Sequence, residues 1–226
     1  MAPAAPPASS RVFACGVTGS GKTRALRLLW LDRAPRALIL DATGEWLPGG
    51  QQYERGARVA GDWGELRAEL HRVAGRARWR IVVPVDELEP AEVIGLLLAR
   101  GAGGLTYPRA VGGLALVVDE LAPFAHNSCS QKITAGWTRG RHAGLSIFGA
   151  SQFPAQVARA VTSQSEWWVV YAMHEPADVA YLARALPAPV MEAHRALERF
   201  HAILWNTSRR AGYLIGPDYK VIRQLT

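Results

Sequence analysis

The sequence has 226 residues, of which 49% are hydrophobic and 20% are charged, and it predicts one globular domain with a substantial core. No apolar run approaches the roughly 20 residues of a membrane span, which excludes a transmembrane segment. The formal net charge of +7 is compatible with a polyanionic partner such as nucleic acid, although an arginine-rich composition also arises from genome base bias.

The amino-terminal segment differs in composition from the rest of the chain. Residues 1–10 are rich in Ala and Pro and lack the basic start and apolar core of a signal peptide. They predict a disordered tail before a single domain at residues 11–226. Cys15 and Cys129 have no metal-like spacing and give no disulfide framework. A reduced, cytoplasmic setting is therefore expected.

A phosphate-binding motif of the Walker A type opens the domain. Residues 16–23 fit G-x-x-x-x-G-K-[ST] between a predicted strand at 11–15 and a predicted helix at 23–31. The glycines let backbone N–H groups turn towards a phosphate at the start of the helix. We expect Lys22 to reach the β- and γ-phosphates and Thr23 to ligate Mg²⁺. The nucleotide-binding residues predicted from this loop are Gly16, Val17, Thr18, Gly19, Ser20, Gly21, Lys22 and Thr23.

The rarity of lysine supports this interpretation of the loop. Among 26 lysines and arginines only three are lysines, so a lysine at this position is less readily a compositional accident. The alternative is a glycine-rich turn that holds no ligand.

The second predicted strand, at residues 36–41, ends in the sequence Asp-Ala-Thr-Gly-Glu-Trp. Asp41, next to the phosphate loop, would help to hold the metal or an attacking water. In the alternative interpretation Asp41 belongs to an Asx-type turn with Gly44 in a left-handed conformation. A helix at 62–74 and a strand at 78–85 are predicted to follow.

A glycine-rich connection comes after a predicted helix at residues 89–100. It covers residues 101–113 and is expected to be mobile and exposed. Arg109 together with Tyr107 would contact a phosphate backbone there. The alternative is a plain surface loop.

Two adjacent carboxylates end the next predicted strand, at residues 114–120, as in a Walker B motif. Asp119 in this position supports Mg²⁺, whereas Glu120 points to the other side of the strand end and polarises a water for attack on the γ-phosphate. The pair indicates hydrolysis. An ordinary strand with a polar turn is the alternative, and the phosphate loop about 100 residues upstream argues against it.

A later predicted strand ends in another polar pair. It covers residues 145–152 and follows a helix at 132–142. Gln152 at its end would contact the γ-phosphate or the attacking water, and the alternative is a polar cap of the strand. The remaining predicted elements are a strand at 166–173, a helix at 175–186, and a hairpin with strands at 200–205 and 211–215.

Four segments of the chain carry a family resemblance. They are residues 16–23, residues 38–46 with D-x-x-G-E and an aromatic residue, residues 116–120, and residues 140–154 with 163–165. Together they resemble the HerA/FtsK superfamily of ring-forming DNA-pumping ATPases, particularly the small viral genome-packaging ATPases. The last segment is the most discriminating, because such families place an arginine in G-R-x-x-G before a strand that ends in S-Q or T-Q and then a proline. Phe153 departs from the pattern, since family members usually have arginine before that proline, although Arg159 is close in sequence.

The resemblance implies roles for individual residues. By this likeness Arg141 is an arginine finger that enters the neighbouring subunit's site. Gln152 is the sensor of the nucleotide and Glu120 is the catalytic base. Asp41 and Glu45, which stand in the D-x-x-G-E segment, belong with the bound nucleotide.

The resemblance also implies a fold. The expected architecture is α/β, a RecA-like P-loop NTPase sandwich with a mainly parallel central sheet in the order 5-1-4-3-2 and antiparallel edge strands. The residues support this class independently, because strands that alternate with helices form parallel sheets with ligands at the carboxyl ends of the strands.

The function implied by the likeness is an ATP-hydrolysing, Mg²⁺-dependent motor. We expect a homo-oligomeric ring, a pentamer or hexamer, that translocates double-stranded DNA and packages a viral genome into a preformed capsid. Its partners would be DNA and proteins of the capsid vertex, and its location the host cytoplasm and the virion vertex. One alternative is a cellular HerA-like translocase in repair or conjugation. Another is a nucleotide-dependent scaffold without productive turnover, against which Glu120 argues.

DNA contacts are expected from loops that face the pore of such a ring. In RecA-like rings these are the loops after the acidic strand and after the sensor strand, here residues 126–132 and 153–159. Their charged candidates are Lys132 and Arg159, and Arg109 is the next residue to consider. A motor that moves along any genome binds the phosphate backbone, so its affinity for DNA should fall steeply as the salt concentration rises.

Overall fold

The computed structural model describes residues 10–86, 88–126 and 130–225. Residues 1–9 of the tail predicted at residues 1–10, and Cys129, lie outside the described residues. Ser10 was assigned to that tail, but it is buried and its carbonyl accepts a 3.0 Å hydrogen bond from the backbone N–H of Ile147. The folded domain therefore already includes Ser10.

Every strand and helix predicted from the sequence is present, with ends that differ by at most three residues. The strands are β1 Arg11–Cys15, β2 Arg36–Asp41, β3 Arg58–Val59, β4 Trp79–Pro84, β5 Leu114–Asp119, β6 Leu145–Ser151, β7 Trp167–Val170, β8 Ala202–Asn206, β9 Ala211–Ile215 and β10 Val221–Gln224. The α-helices are α1 Lys22–Leu29, α2 Trp63–Val73, α3 Pro90–Leu98, α4 Tyr107–Ala110, α5 Gln131–Arg139, α6 Arg159–Gln164, α7 Pro176–Ala185 and α8 Ala188–Arg195. Among the described residues, none of these helices combines the length and apolar character that a bilayer crossing requires.

The strands form a single sheet in the order β10-β9-β8-β7-β1-β6-β5-β2-β4-β3. The run from β7 to β3 is parallel, and β8, β9 and β10 are antiparallel additions. The expected α/β class, a mainly parallel RecA-like sheet with antiparallel edge strands, is confirmed. The full strand order differs from 5-1-4-3-2, because β4 and the short β3 extend the sheet beyond β2. The strands β7-β1-β6-β5-β2 alone keep that order.

Both faces of the sheet are covered. On β1, Phe13 and Cys15 belong to one hydrophobic core, whereas Val12 and Ala14 belong to the other. The first core packs against α2, α3 and α5 to α8, and the second against α1. Because strand side chains alternate between two dry faces, the parallel strands have continuous apolar sequences.

The connection at residues 101–113 is more ordered than the sequence predicts. It contains a short 3-10 turn at Ala102–Gly104 and the helix α4. The hydroxyl of the half-buried Tyr107 donates to the carbonyl of Leu70 at 2.7 Å, and burial raises the pKa of Tyr107 to about 12. Tyr107 is thus tied to the core and is not presented to a phosphate backbone.

Several short elements have no signal in the sequence pattern. These are β3, α4, α6, α8 and β10. In β10 most residues are exposed, so no apolar alternation marks it. The predicted hairpin of β8 and β9 is confirmed, but β10 takes the edge position outside it.

Candidate nucleotide-binding site

The loop at residues 16–21 leaves the carboxyl end of β1 and leads into α1. Two of its glycines are required by geometry. A side chain on Gly16 would place its Cβ 2.5 Å from the Cβ of Tyr171, and Gly21 has a φ of +105°. Tyr171 follows β7, and its hydroxyl donates to the carbonyl of Gly21 at 3.1 Å. The neighbouring strand therefore fixes the shape of the loop.

Lys22 is buried in the first turn of α1. Its Nζ donates to the carbonyl oxygens of Gly16 at 2.8 Å and Val17 at 3.1 Å. Burial lowers the pKa of Lys22, and the carboxylates of Glu120 and Asp119 act against that shift. The ammonium group is held inside the loop by backbone oxygens, for which a phosphate would be a stronger, charged competitor.

Asp119 ends β5 and is only 3% exposed. Its Oδ1 accepts from the hydroxyl of Thr23 at 3.1 Å, and its Oδ2 accepts from the hydroxyl of Thr43 at 3.2 Å and the indole of Trp46 at 3.1 Å. Burial raises the pKa of Asp119 to about 6, and these hydrogen bonds oppose the shift. The carboxylate is therefore fixed in orientation directly beside the start of α1.

This pair of oxygens fits the preferences of Mg²⁺. Magnesium takes hard oxygen ligands and is usually held by one or two protein groups, with substrate phosphates and water completing its shell. The Thr23 hydroxyl and an Asp119 carboxylate oxygen lie 3.1 Å apart. Thr23 and Asp119 are the residues that would hold the ion here.

Asp41 organises the turn that follows β2. Its Oδ1 accepts from the backbone N–H groups of Thr43 at 3.1 Å and Gly44 at 2.9 Å, and its Oδ2 accepts from that of Trp46 at 3.0 Å. Gly44 has a φ of +76°. The geometry is the Asx-type turn of the alternative interpretation. Asp41 acts on the site through this turn, which positions Thr43 and Trp46 against Asp119.

Glu120 has a left-handed backbone, with a φ of +78°. Such a conformation costs a residue with a Cβ about 1–2 kcal/mol and is often found at functional sites. The Oε1 atom accepts from the hydroxyl of Ser151 at 3.0 Å and from the N–H groups of Ala122 and Gln152 at 3.3 and 3.4 Å. Within the described part of the chain, Oε2 receives no hydrogen bond. One carboxylate oxygen is fixed and the other is left to accept a proton.

Gln152 directly follows β6. Its Oε1 accepts a 2.7 Å hydrogen bond from the hydroxyl of Thr18, in the phosphate loop. The side chain thus bridges the end of β6 and the loop, at a place where a γ-phosphate would insert between them.

A cavity of about 320 Å³ lies against the phosphate loop. Glu45 lines it together with residues 19–24 of the loop and α1, whereas Asp41 does not. The other walls are formed by Gln51, Gln52, Phe200, Pro217 and Tyr219. Glu45 therefore lies beside the phosphate loop, and its contact with a nucleotide stays a prediction.

Arg141 lies at the opposite end of the sheet. It is exposed in the 3-10 turn Gly140–Ala143 before β6, whereas Gln152 comes after β6. The seven residues of β6 rise about 3.3 Å each, which puts about 23 Å between the two ends. This separation is too large for Arg141 to reach the phosphate loop of its own chain.

Arg109 lies at the same end as Arg141. It lines a pocket together with Arg100, Arg139 and His142. A cluster of basic side chains therefore occupies the end of the sheet away from the phosphate loop.

The other two predicted DNA contacts lie in the elements after β5 and β6. Lys132, in the first turn of α5, pairs with Glu92 at 3.2 Å, and both side chains are about half exposed. Arg159 begins α6 and is exposed. The loops that precede them are joined, because His126 and Val157 form a β-bridge.

Several site residues were not singled out in the sequence. Thr43 and Trp46 lie inside the D-x-x-G-E-W segment, so this motif could have indicated them. Tyr171, Phe200 and Tyr219 lie in no motif and are brought to the phosphate loop only by the fold.

The chain has a P-loop fold of the RecA-like α/β class, with a candidate nucleotide-binding site at the carboxyl ends of its parallel strands. Among solved structures it is similar to the genome packaging NTPase B204 from Sulfolobus turreted icosahedral virus 2 in complex with ATPγS, at 16% sequence identity, with 96% of this chain and 100% of that chain covered and a TM-score of 0.73. It is also similar to the bacterial conjugative coupling protein TrwBdeltaN70, at 14% identity, with 96% and 86% covered and a TM-score of 0.60.

A further similar structure is the pCW3 conjugation coupling protein TcpA, at 16% identity, with 89% of this chain and 58% of that chain covered and a TM-score of 0.50. Comparisons with protein-family models and with curated protein sequences found no match. These likenesses confirm the RecA-like α/β fold that the resemblance implies.

Proposed function

We propose that this protein hydrolyses ATP. The observation that carries the proposal is the strained conformation of Glu120, which directs a second carboxylate to the same sheet end as Lys22, Thr23 and Asp119. A scaffold that only binds nucleotide needs no carboxylate for water. Strain maintained at such a position is typical of catalytic sites.

Each side chain has a part in the in-line attack of water on the γ-phosphate. Lys22 neutralises the β- and γ-phosphates after it leaves the loop carbonyls, and Glu120 accepts the proton of the attacking water through Oε2. Gln152 exchanges its bond to Thr18 for one to the γ-phosphate or the water. Thr23 and Asp119 would hold Mg²⁺, which would supply positive charge against that of the phosphates.

The proposal includes a homo-oligomeric ring of five or six subunits. A cation on the transferring phosphate speeds such reactions greatly. Arg141 is the candidate from the sequence, with Arg139 in reserve, and β6, about 23 Å long, separates Arg141 from the site of its own chain. A neighbouring copy that presents this end of its sheet to the site would supply the missing charge.

The proposed substrate of the motor is double-stranded DNA, and the proposed task is packaging of a viral genome into a capsid, with capsid vertex proteins as partners. The net charge of +7 and the exposed Lys132 and Arg159, which lie in the first turns of the helices after the two joined loops, support a phosphate-backbone contact. The likeness to a packaging NTPase over the full length of that chain favours this task. The likeness to conjugative coupling proteins favours, as second candidate, a cellular translocase with the same chemistry.

The experiment that tests hydrolysis compares Lys22→Ala with Glu120→Gln, with Glu192→Gln on the exposed face of α8 as the matched control. Lys22→Ala should lose both ATP binding and phosphate release. Glu120→Gln should keep binding and lose turnover by about 10²-fold or more. The control should match the unchanged protein. Turnover by Glu120→Gln at the unchanged rate would refute the assignment of the base.

A further inference from the structure

The cavity beside the phosphate loop has a second wall, which comes from the carboxyl-terminal quarter of the chain. Phe200, Pro217 and Tyr219 line it opposite the loop residues. Phe200 precedes β8, and the other two lie in the turn between β9 and β10. The proposed hydrolysis assigns no role to these three residues. The antiparallel end of the sheet therefore lines the cavity for a reason that the phosphate chemistry does not explain.

Backbone strain marks two of these residues. Among the described residues four non-glycine positions have positive φ, and Phe200 at +65° and Tyr219 at +62° are two of them. A bulky side chain in this region is unfavourable and persists only where its surroundings fix it. In this conformation Phe200 stays 42% exposed at the cavity, although its ring is among the most apolar groups available to the core.

Tyr219 is connected to the phosphate loop itself. Its hydroxyl lies 3.5 Å from the carbonyl oxygen of Gly21, which also accepts from Tyr171 at 3.1 Å. Its turn is closed by hydrogen bonds between Gly216 and both Tyr219 and Lys220. The turn is thus held against the residue that precedes Lys22.

We infer that Phe200, Pro217 and Tyr219 form the wall that binds the nucleoside of the nucleotide, with the base stacked against the aromatic rings. This inference rests on the proposed function, because it assumes a nucleoside triphosphate in the loop. Stacking needs a flat, exposed ring held in place, and the strained backbone holds Phe200 in that state. The guanidinium of Arg199 lies 4.7 Å from the ring centroid of Phe200 and supports it from one side.

Gln51 and Gln52 border the same cavity. A glutamine side chain offers both a donor and an acceptor, which is what the edge of a nucleobase requires. The phosphates are then bound by the parallel part of the sheet and the nucleoside by its antiparallel part, so the last hairpin is a component of the active site.

The test measures calorimetric affinities for ATP and for inorganic triphosphate, each with Mg²⁺. The variants are Phe200→Gly and Tyr219→Ala, and the matched control is Ile222→Ala, 55% exposed on β10 and away from the cavity. Both variants should weaken ATP binding about tenfold, as loss of one stacking partner does, and leave triphosphate binding within about twofold. Ile222→Ala should change neither affinity.

Phe200→Gly also separates binding from folding. Glycine accepts the +65° backbone without strain, so this variant should not unfold at a lower temperature even though it binds ATP less well. Tyr219→Phe keeps the ring and should keep ATP affinity, which distinguishes stacking from the hydrogen bond to Gly21.

Three outcomes would overturn the inference. If both wall variants kept the ATP affinity of the unchanged protein, the wall would not bind the nucleoside. If their affinities for ATP and for triphosphate fell equally, the substitutions would have distorted the phosphate loop instead. If the unchanged protein bound neither ligand, the proposed function itself would fail, and the wall with it.

Discussion

Replacement of Glu120 by glycine should leave the protein more stable than replacement by alanine, although both variants lose ATP turnover. The reason is the φ of +78° at this position. Glycine adopts this conformation freely, whereas alanine keeps the Cβ that makes it unfavourable. Both substitutions remove the same carboxylate and its hydrogen bonds, so their difference isolates the backbone strain.

The difference in stability between the glycine and alanine variants follows from opposing contributions. The left-handed conformation costs a residue with a Cβ about 1–2 kcal/mol. Glycine has more conformational freedom in the unfolded chain, which lowers the stability of the glycine variant by about 0.5–1 kcal/mol. The bonds that Glu120 accepts from Ser151 and Ala122 are lost in both variants. The net advantage of glycine is about 1 kcal/mol, which corresponds to about 2–4 °C in Tm for a chain of this length.

The assay is urea unfolding of both variants, paired with a phosphate-release measurement that should show the loss of turnover. Glu192→Gly and Glu192→Ala in α8 serve as the control pair, because at an exposed helical position alanine is favoured over glycine by about 1 kcal/mol. The two pairs should therefore rank in opposite order. Alanine at residue 120 as stable as glycine would refute the argument that strain is stored there.

Three further predictions concern the ring, DNA and acid stability. Arg141→Ala protein mixed with Lys22→Ala protein should regain hydrolysis, because some mixed interfaces pair an intact loop with an intact arginine; no recovery in well-mixed rings would contradict an arginine acting between subunits. Lys132→Ala and Arg159→Ala should each reduce the salt slope of DNA binding by about one and lower DNA-stimulated ATPase while basal hydrolysis survives; an unchanged slope in the double variant would place the contact elsewhere. Burial lowers the pKa of His194 below its usual 6.5, so below pH 6.5 the unfolded chain binds a proton that the folded chain does not. The free energy of unfolding should therefore be unaffected by this histidine above pH 6.5, and Tm should fall as the pH drops below that value. His194→Gln should lessen the fall, and an equal dependence of Tm on pH in both proteins would exclude this histidine.

The candidate phosphate site could be predicted from the sequence because its residues stand together in the chain. Eight consecutive residues form the loop, and two consecutive carboxylates end one strand, so the order of residue types identifies them before any fold is known. The fold then only has to bring the ends of β1, β5 and β6 to one edge, which parallel strands with helical crossovers do. Gln152 falls into the same class, since its bond to Thr18 joins two such strand ends.

Other features depend on long-range packing that no local pattern contains. Phe200 and Tyr219 reach the loop across more than half of the chain, through a hairpin whose edge strand has little apolar alternation. For Asp41 the sequence allowed two roles, and only the turn contacts with Thr43 and Trp46 distinguish them. The place of β4 outside β2 is likewise set by sheet packing, since the sequence gives the strand but not its neighbour.

The β-bridge between His126 and Val157 has a mechanical consequence. One of the two bridged segments begins just after Glu120 and the other just after Gln152, the two residues that the proposed function assigns to the γ-phosphate and its attacking water. Because the bridge joins the two loops, a small displacement at the start of either loop would move both. If the protein hydrolyses ATP as proposed, the bridge would make the two loops move together in each turnover.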